Sequence, residues 1–507
     1  MAGDNSVDHA RIIRLFEELN IAKPPNAFDS ILGAAVTVDL DPCWADTENG
    51  QTIADVLIRI LLRTGFDVQL ACPERWVPKR LVGEAQEDAL ALGRSFRTSD
   101  SVDHPTPRVA IGDAFTDTAD VFAKSSGWTA YVGEKPLSLR SVVQNPVGAS
   151  LCGAWAAAEV FKLVMGRELS AAGVSYRVHH QLVFSAWDYD NPHLEGPVLP
   201  TSVDVGDTIV VGIGAVGLAC LHLLSRLPCL HGTLTLVDQD VIDRTNVARY
   251  LTANRKSIGQ AKVRHGAKLF AGRSDLSVIS FEMTYESFAR DIGRDFNLAL
   301  CAVDNIDTRF ELQSDLPRVM VDAGTRDVCF GIRRFCLSQT ACAACMFRPR
   351  EDTYALCEAV ALAFGWNVDL AAYNLSNKVP LTSRDLVYFS QRKGVPLDTI
   401  RCHENTPITQ FIDKEICGHL VLSSGEGPQS QSGAIGFVSA VPGFLLAAEL
   451  VKQVAFPEQA LKGCFEASVL YGPSKHSHCD VSRVADCPLC GDAVVVAAYR
   501  RKHGAVN

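Results

Sequence analysis

Thr208-Ile-Val-Val-Gly212-Ile-Gly214-Ala-Val-Gly217 is the stretch on which the fold turns. A short β-branched run enters glycines spaced G-x-G-x-x-G, and a helix-like pattern over 218–227 follows at once. Glycines in that spacing permit a tight turn and let backbone N–H groups and a helix N-terminus face a phosphate. A second strand pattern over 233–237 ends at Asp238, placed to accept hydrogen bonds from ribose hydroxyls. Strand, glycine turn, helix and strand begin a β-α-β unit. Further apolar strands over 298–303 and 319–321, separated by helix-like segments, continue the alternation and predict a mostly parallel, doubly wound α/β sheet. So far any adenine nucleotide fits, NAD included.

Upstream, the prolines and glycines of 188–207 read as a linker. Before it, 34–40, 68–71 and 108–111 read as strands, and Gly153-Ala-Trp-Ala-Ala-Ala-Glu159-Val-Phe-Lys162 repeats as Gly443-Phe-Leu-Leu-Ala-Ala-Glu449-Leu-Val-Lys452, with five identities in register. Each copy precedes a strand pattern, over 182–187 and 465–471. The repeat implies two related α/β domains in one chain. The first has Asp41-Pro-Cys-Trp44 where the second has its glycines, so its nucleotide site is expected to be dead and Asp41 to Trp44 to contact no nucleotide.

Composition sets the outer bounds. The chain has 507 residues, 47% hydrophobic and 21% charged, which is the balance of a soluble globular protein and too long for one small module. A net charge of -10 argues against a dominant attraction to nucleic acid or anionic membrane, and leaves open a basic partner or a small ligand held by local positive charge. The acidic start lacks the basic, then apolar, pattern of a signal peptide, so a cytoplasmic location is expected. Uncharged stretches at 208–224 and 432–448 are broken by glycines, the second also by Ser439 and Pro442. They read as buried strand-turn-helix segments, not membrane spans.

Most of the 17 cysteines are scattered singly in apolar segments and read as small buried hydrophobes. Cys342-Ala-Ala-Cys345 and Cys487-Pro-Leu-Cys490 stand apart, because two residues between thiolates let one tight turn present both sulfurs to a tetrahedral ion. Their wide separation leaves redox or incidental pairs open. His476, His478 and Cys479 also look metal-like, but a polar hairpin turn is the simpler reading.

The residues after Asp238 favour a triphosphate. Asp238-Gln-Asp240-Val-Ile-Asp243-Arg-Thr-Asn246-Val-Ala-Arg249-Tyr250, then Ile258-Gly-Gln-Ala-Lys262, then Cys301-Ala-Val-Asp304, supply cations for phosphate oxygens, an amide, and a carboxylate for Mg²⁺. Taken singly, each would be an ordinary solvated surface charge.

In this pattern of glycine loop, D-x-D, N-x-x-R, G-x-x-K and later Asp, residues 208–304 resemble the adenylation domain of the ThiF/MoeB and ubiquitin-activating enzyme superfamily. The resemblance implies that Gly212, Gly214 and Gly217 cradle ATP, that Asp238 binds ribose, that Asn246, Arg249 and Lys262 contact its phosphates, and that Asp304 coordinates Mg²⁺. It also implies that Cys342, Cys345, Cys487 and Cys490 hold one Zn²⁺. One departure is Tyr250, where many relatives have Gln. Relatives also insert an Arg from the partner lobe, for which Arg11 and Arg14 are candidates beside their reading as surface residues. The first half resembles the inactive lobe of two-lobed activating enzymes.

The implied fold is two Rossmann-like lobes: a degenerate adenylation lobe over 1–190 and an active one over 191–507, forming an internal pseudo-dimer with further oligomerisation possible. The implied reaction adenylates the C-terminal carboxylate of a ubiquitin-like protein and captures it as a thioester for a conjugating enzyme. The nucleophile would lie in a crossover segment at about 346–432. Cys417, in Lys414-Glu-Ile-Cys-Gly-His419 before a Gly/Ser-rich loop, is the first choice because cationic neighbours favour a thiolate. Cys402 is second, and Cys357 reads as core. The brevity of the chain resembles activating enzymes of bacterial conjugation operons implicated in antiphage defence. Three rivals remain: a sulfur-carrier adenylyltransferase without a thioester, an NAD-dependent oxidoreductase, and a catalytically dead scaffold.

Overall fold

The computed structural model describes residues 31–411 except 100–106, 114–118, 137–138, 140–141, 172–173, 175, 294, 327, 348–352 and 394–396, and residues 435–504 except 475–476 and 480–481. Two sheets organise it. The first runs through β1 (Ala35–Leu40), β2 (Asp67–Ala71), β3 (Phe96–Ser99), β4 (Arg108–Ile111), β5 (Val121–Ser126), β6 (Thr129–Gly133) and β7 (Leu182–Ser185), in the order β3-β2-β1-β4-β5-β6-β7. The second contains β8 (Val203–Val211), β9 (Leu230–Val237), β10 (Leu276–Phe281), β11 (Leu298–Cys301), β12 (Val319–Arg326), β13 (Cys329–Phe335), β14 (Cys464–Ser468) and β15 (His478–Cys479), in the order β10-β9-β8-β11-β12-β13-β14-β15. Each sheet is parallel through its first five strands and antiparallel beyond them. Each also places its first strand centrally and winds outward on both sides, which is doubly wound α/β architecture.

The repeated segments lie in the helices Pro146–Ala171 and Gly436–Ala455, and their shared letters have matching physical roles. A Cβ on Gly153 would stand 2.8 Å from the Ile53 carbonyl oxygen, and one on Gly443 would stand 2.5 Å from that of Val216. Glycine therefore lets each helix cross closely over the helix that follows its sheet's first strand. Glu159 and Lys162 pair at 2.5 Å, Glu449 and Lys452 at 2.6 Å, and all four side chains are buried. Each ammonium also donates to a carbonyl, Lys162 to Arg177 at 2.8 Å and Lys452 to Ala186 at 2.9 Å. Buried charges persist only when paired and hydrogen-bonded in this way. Both helices are long and apolar enough to cross a membrane, yet 89% of each apolar window is buried in the protein.

Several boundaries differ from the sequence reading. β8 begins at Val203, inside the predicted linker, because Val203 and Val205 are buried on either side of exposed Asp204, and it pairs from Leu230 onward through a register shift between Asp204 and Asp207. The helix expected over 218–227 is Ala215–Ser225, starting directly at the N-cap Gly214. The strand expected over 465–471 ends at Ser468, where the chain turns into a bridge with Gly472. His478 lies in β15 and pairs with Phe465 across the ladder; His476 falls outside the described residues.

The chain divides into two units, Phe347–Ser432 and the remainder. The described part of Phe347–Ser432 is helical, with its own core of Val360, Phe364, Ala371, Phe389, Ile400 and Phe411. The ring of Phe411 meets those of Phe389 and Phe364 edge-on at 5.0 and 5.6 Å.

Candidate nucleotide site and cysteine cluster

β8 lies between β9 and β11, so the chain leaves it in opposite directions on its two sides. That reversal opens a crevice beyond the carboxyl ends of β8 and β11, the usual ligand position in such sheets. The three glycines each have a separate role there. Gly212 has φ +88° and approaches within 2.7 Å of the Ala302 carbonyl at the Cβ position. Gly217 leaves no room for a side chain, its Cβ position being 2.1 Å from the Gly212 carbonyl oxygen. Gly214 faces open space, with only the Tyr250 hydroxyl, at 3.7 Å, within 4 Å of its Cβ position. Two glycines thus shape the loop, and the third leaves its floor bare for a ligand.

The carboxylate of Asp238 ends β9 and braces this loop. It accepts from the backbone N–H of Ile213 at 2.6 Å and of Asp240 at 2.8 Å. Burial raises its pKa, with Lys262 opposing. Lys262 opens a helix at Lys262–Lys268 and donates to Asp240 at 2.7 Å. Burial lowers its pKa, but Tyr250, Asp238 and Asp240 outweigh burial and hold the ammonium above its ordinary value.

Asn246 is buried, and its side-chain oxygen accepts from the Asp243 N–H at 3.1 Å, closing a reciprocal cap on the turn Arg244–Asn246. That turn delivers Arg249 and Tyr250. The Arg249 guanidinium lies 5.3 Å from the centre of the Tyr250 ring and the Lys262 ammonium 5.8 Å from it. The Arg249 Nε is buried and has no hydrogen-bond partner among the described residues. Buried donors are rarely left unpaired unless a ligand or water completes them. Asp304 is exposed just beyond β11. The chain on either side of it is held by Arg309, which donates to the carbonyls of Val303 at 2.5 Å and Asn305 at 3.4 Å and is fixed by Asp322 at 2.6 Å.

Sequence reasoning missed Arg309 and Arg63. The first leaves a readable trace, an Arg five residues after Asp304; the second does not, because its partners are far away in the chain. Arg11 and Arg14 fall outside the described residues, as does Cys417. Cys402 is exposed and Cys357 is buried.

The matching position in the first sheet is filled by the chain itself. Asp41 is buried, and its carboxylate accepts from the N–H groups of Cys43 at 2.8 Å and Asp113 at 2.9 Å. Trp44 packs so closely that a Cβ on Gly112 would lie 2.7 Å from its ring. An internal carboxylate thus occupies those amides.

The four cysteines of the two C-x-x-C pairs converge. Their sulfurs all lie within 4.8 Å of one another, with Cys342 to Cys487 at 3.4 Å, Cys345 to Cys490 at 3.3 Å and Cys342 to Cys345 at 3.8 Å. Sulfurs at about 2.3 Å from a tetrahedral Zn²⁺ sit about 3.8 Å apart, so this all-thiol set fits that ion. Gly491 permits the second turn, since a Cβ there would lie 2.5 Å from the Ala485 carbonyl oxygen.

The ThiF family matches residues 205–487, more than half of the chain, and the chain belongs to that family of ATP-using adenylyltransferases. It is similar to the uncharacterized protein y4jF of Sinorhizobium fredii, at 26% identity over 76% of this chain and 74% of that protein. A shorter match, 31% identical over 20% of this chain and 40% of that protein, is to the tRNA threonylcarbamoyladenosine dehydratase of Haemophilus influenzae. Among solved structures it is similar to E. coli MccB with ATP (TM-score 0.36, 12% identity) and with MccA-N7isoASN (TM-score 0.36, 14% identity), each over 57% of this chain and 67% of that one.

Proposed function

We propose that this adenylyltransferase activates a ubiquitin-like protein. ATP would lie over Gly212, Gly214 and Gly217, its ribose on Asp238 and its phosphates on Asn246, Arg249 and Lys262, with Asp304 as the carboxylate for Mg²⁺. A C-terminal carboxylate oxygen of the partner attacks the α-phosphorus, the bond to the β-phosphate breaks, and pyrophosphate leaves. The attacking carboxylate is already ionised and needs no general base. Positioning and neutralisation of phosphate charge are what the site has to supply. The observation that carries this reading is the unpartnered, buried Arg249 Nε beside Lys262 and the bare Gly214 floor. A nicotinamide enzyme has no evident use for both cations together with Asn246 and the Asp304 carboxylate.

In this reading residues 1–190 form an inactive lobe and 191–507 the active one. The support is the shared strand order of the two sheets and the self-filled Asp41–Trp44 turn of the first. The segment at about 346–432 would carry the nucleophile that receives the acyl group, releasing AMP, before transfer to a conjugating enzyme. Its support is that Phe347–Ser432 is a unit of its own containing exposed Cys402, and its sequence also contains Cys417. A cytoplasmic role in a bacterial antiphage conjugation operon is part of the same reading.

The test incubates the chain with ATP, Mg²⁺ and a ubiquitin-like protein encoded beside it, and follows pyrophosphate release and a thiol-sensitive conjugate on a non-reducing gel. The conjugate is expected from the unaltered chain and lost in Cys417→Ala. Its survival there and loss in Cys402→Ala would move the nucleophile. Pyrophosphate release with no conjugate would favour sulfur-carrier activation. Neither product would end the reading.

A further inference from the structure

We propose that Tyr250 is a phosphate-binding residue of this crevice, its hydroxyl donating to an ATP phosphate oxygen over Gly214. The proposal rests on the nucleotide reading above and extends it to a residue outside the family pattern.

Tyr250 is 1% exposed, and its hydroxyl lies against the glycine loop. A buried tyrosine ordinarily finds a partner for that group. Among the described residues beyond the loop's own backbone, the hydroxyl is the one atom within 4 Å of the Gly214 Cβ position, at 3.7 Å. The two cations assigned to phosphate, Arg249 and Lys262, flank the same ring. The phenol O–H therefore stands where three features that suit an anion meet: loop amides at a helix N-terminus, a guanidinium and an ammonium.

The donor is also held still. The Tyr250 N–H donates to the Asn246 carbonyl at 2.9 Å. Its own carbonyl accepts from the Ala253 N–H at 3.1 Å and from Arg63 Nε at 2.8 Å. The ring lies in the core cluster that also contains Val247, Leu251 and Val263. A donor fixed before the ligand arrives loses little rotational freedom on binding, so its hydrogen bond counts nearly in full. The ring alone would serve packing equally well; the hydroxyl is what packing does not need.

Tyr250→Phe removes that oxygen and nothing else. The full chain and the variant are titrated calorimetrically with MgATP and with adenosine, which has no phosphate, and melted in parallel. The expected result is a roughly ten-fold rise in the Kd for MgATP, as for a lost hydrogen bond to a charged group, with adenosine binding and Tm unchanged. Unchanged MgATP affinity in the variant, beside an unaltered chain that binds, overturns this proposal alone. Equal weakening of MgATP and adenosine also overturns it, because the hydroxyl would then be shaping the pocket and not holding phosphate. Failure of the unaltered chain to bind MgATP overturns the nucleotide reading and this proposal together.

Discussion

Arg63, at the end of the Glu48–Thr64 helix, donates through Nε to the carbonyl of Tyr250 at 2.8 Å, across 187 residues of sequence. Nε and Nη2 also reach the Ala253 carbonyl at 3.1 and 2.9 Å, and Asp88 pairs with the same guanidinium at 2.9 Å. The first sheet's half of the chain thus ties down the turn that presents Arg249 and Tyr250. Arg63→Ala would take the donor from the Ala253 carbonyl and one of two guanidinium partners from Asp88, which keeps Arg59 and Asn254, each at 3.0 Å, a loss of about 1 to 3 kcal/mol. Denaturant unfolding should show it, and the KM for ATP should rise as the turn loosens. An ATP KM unchanged in a folded Arg63→Ala protein would show that the turn holds itself.

The glycine loop separates shape from binding. Gly217→Ala places a methyl 2.1 Å from a backbone oxygen, so it should destabilise the fold by at least about 2 kcal/mol. Gly214→Ala meets only the Tyr250 hydroxyl and should leave Tm nearly unchanged while weakening MgATP binding, because the methyl occupies the phosphate floor. Melting curves and MgATP titrations of the two variants should therefore move in opposite columns. Full ATP affinity in Gly214→Ala would remove the loop from the nucleotide site.

Metal analysis of the purified chain should find one Zn²⁺ per molecule. The four sulfurs join turns 145 residues apart, so the ion would staple the C-terminal helix Ala493–His503 beside the body that carries Cys342 and Cys345. Tyr499, wholly buried, already docks that helix by donating to the Arg318 carbonyl at 2.7 Å. Cys487→Ser should lose the metal and lower Tm by several degrees, since structural zinc contributes directly to folding. Zinc content near zero in the unaltered protein would mean the thiols serve another purpose.

What could be read in advance was what short-range pattern carries. Gly212, Gly214 and Gly217 announce their turn because the chain needs them within six residues, and each C-x-x-C announces its own loop. The Glu159 and Lys162 repeat was visible as letters; that it is a buried ion pair needed the structure. Arg63 was not legible, because its meaning lies in carbonyls 187 and 190 positions away. Nor was β8's early start: the prolines before it resemble a linker, and Val203 and Val205 alternate too briefly to outweigh them. The Asp41 and Trp44 plug was legible only as missing glycines, since what fills a site depends on how its walls approach, as Gly112 does here.

Acid should weaken the protein above the range where carboxylates titrate. His222 is buried, 3.2 Å from Asp55 and 3.2 Å from Arg226, and burial is the main cause that lowers its pKa from 6.5 to about 4. The folded state therefore keeps it neutral while the unfolded chain takes up a proton below pH 6.5. The unfolded state binds more protons across that window, so stability falls as pH drops from 6.5 and levels off near 4. His222 contributes about 3 kcal/mol at the limit, roughly 2 of it between pH 7 and 5. Asp55 acts lower: Arg59 and Arg226 overcome its burial and hold it well below the usual carboxylate range, so its contribution is lost only in stronger acid. His265, also lowered to about 4 chiefly by burial, adds to the same window as His222. Urea midpoints at pH 7 and 5 should therefore differ clearly for the unaltered chain and less for His222→Gln. An equal difference in both would assign the acid sensitivity to other groups.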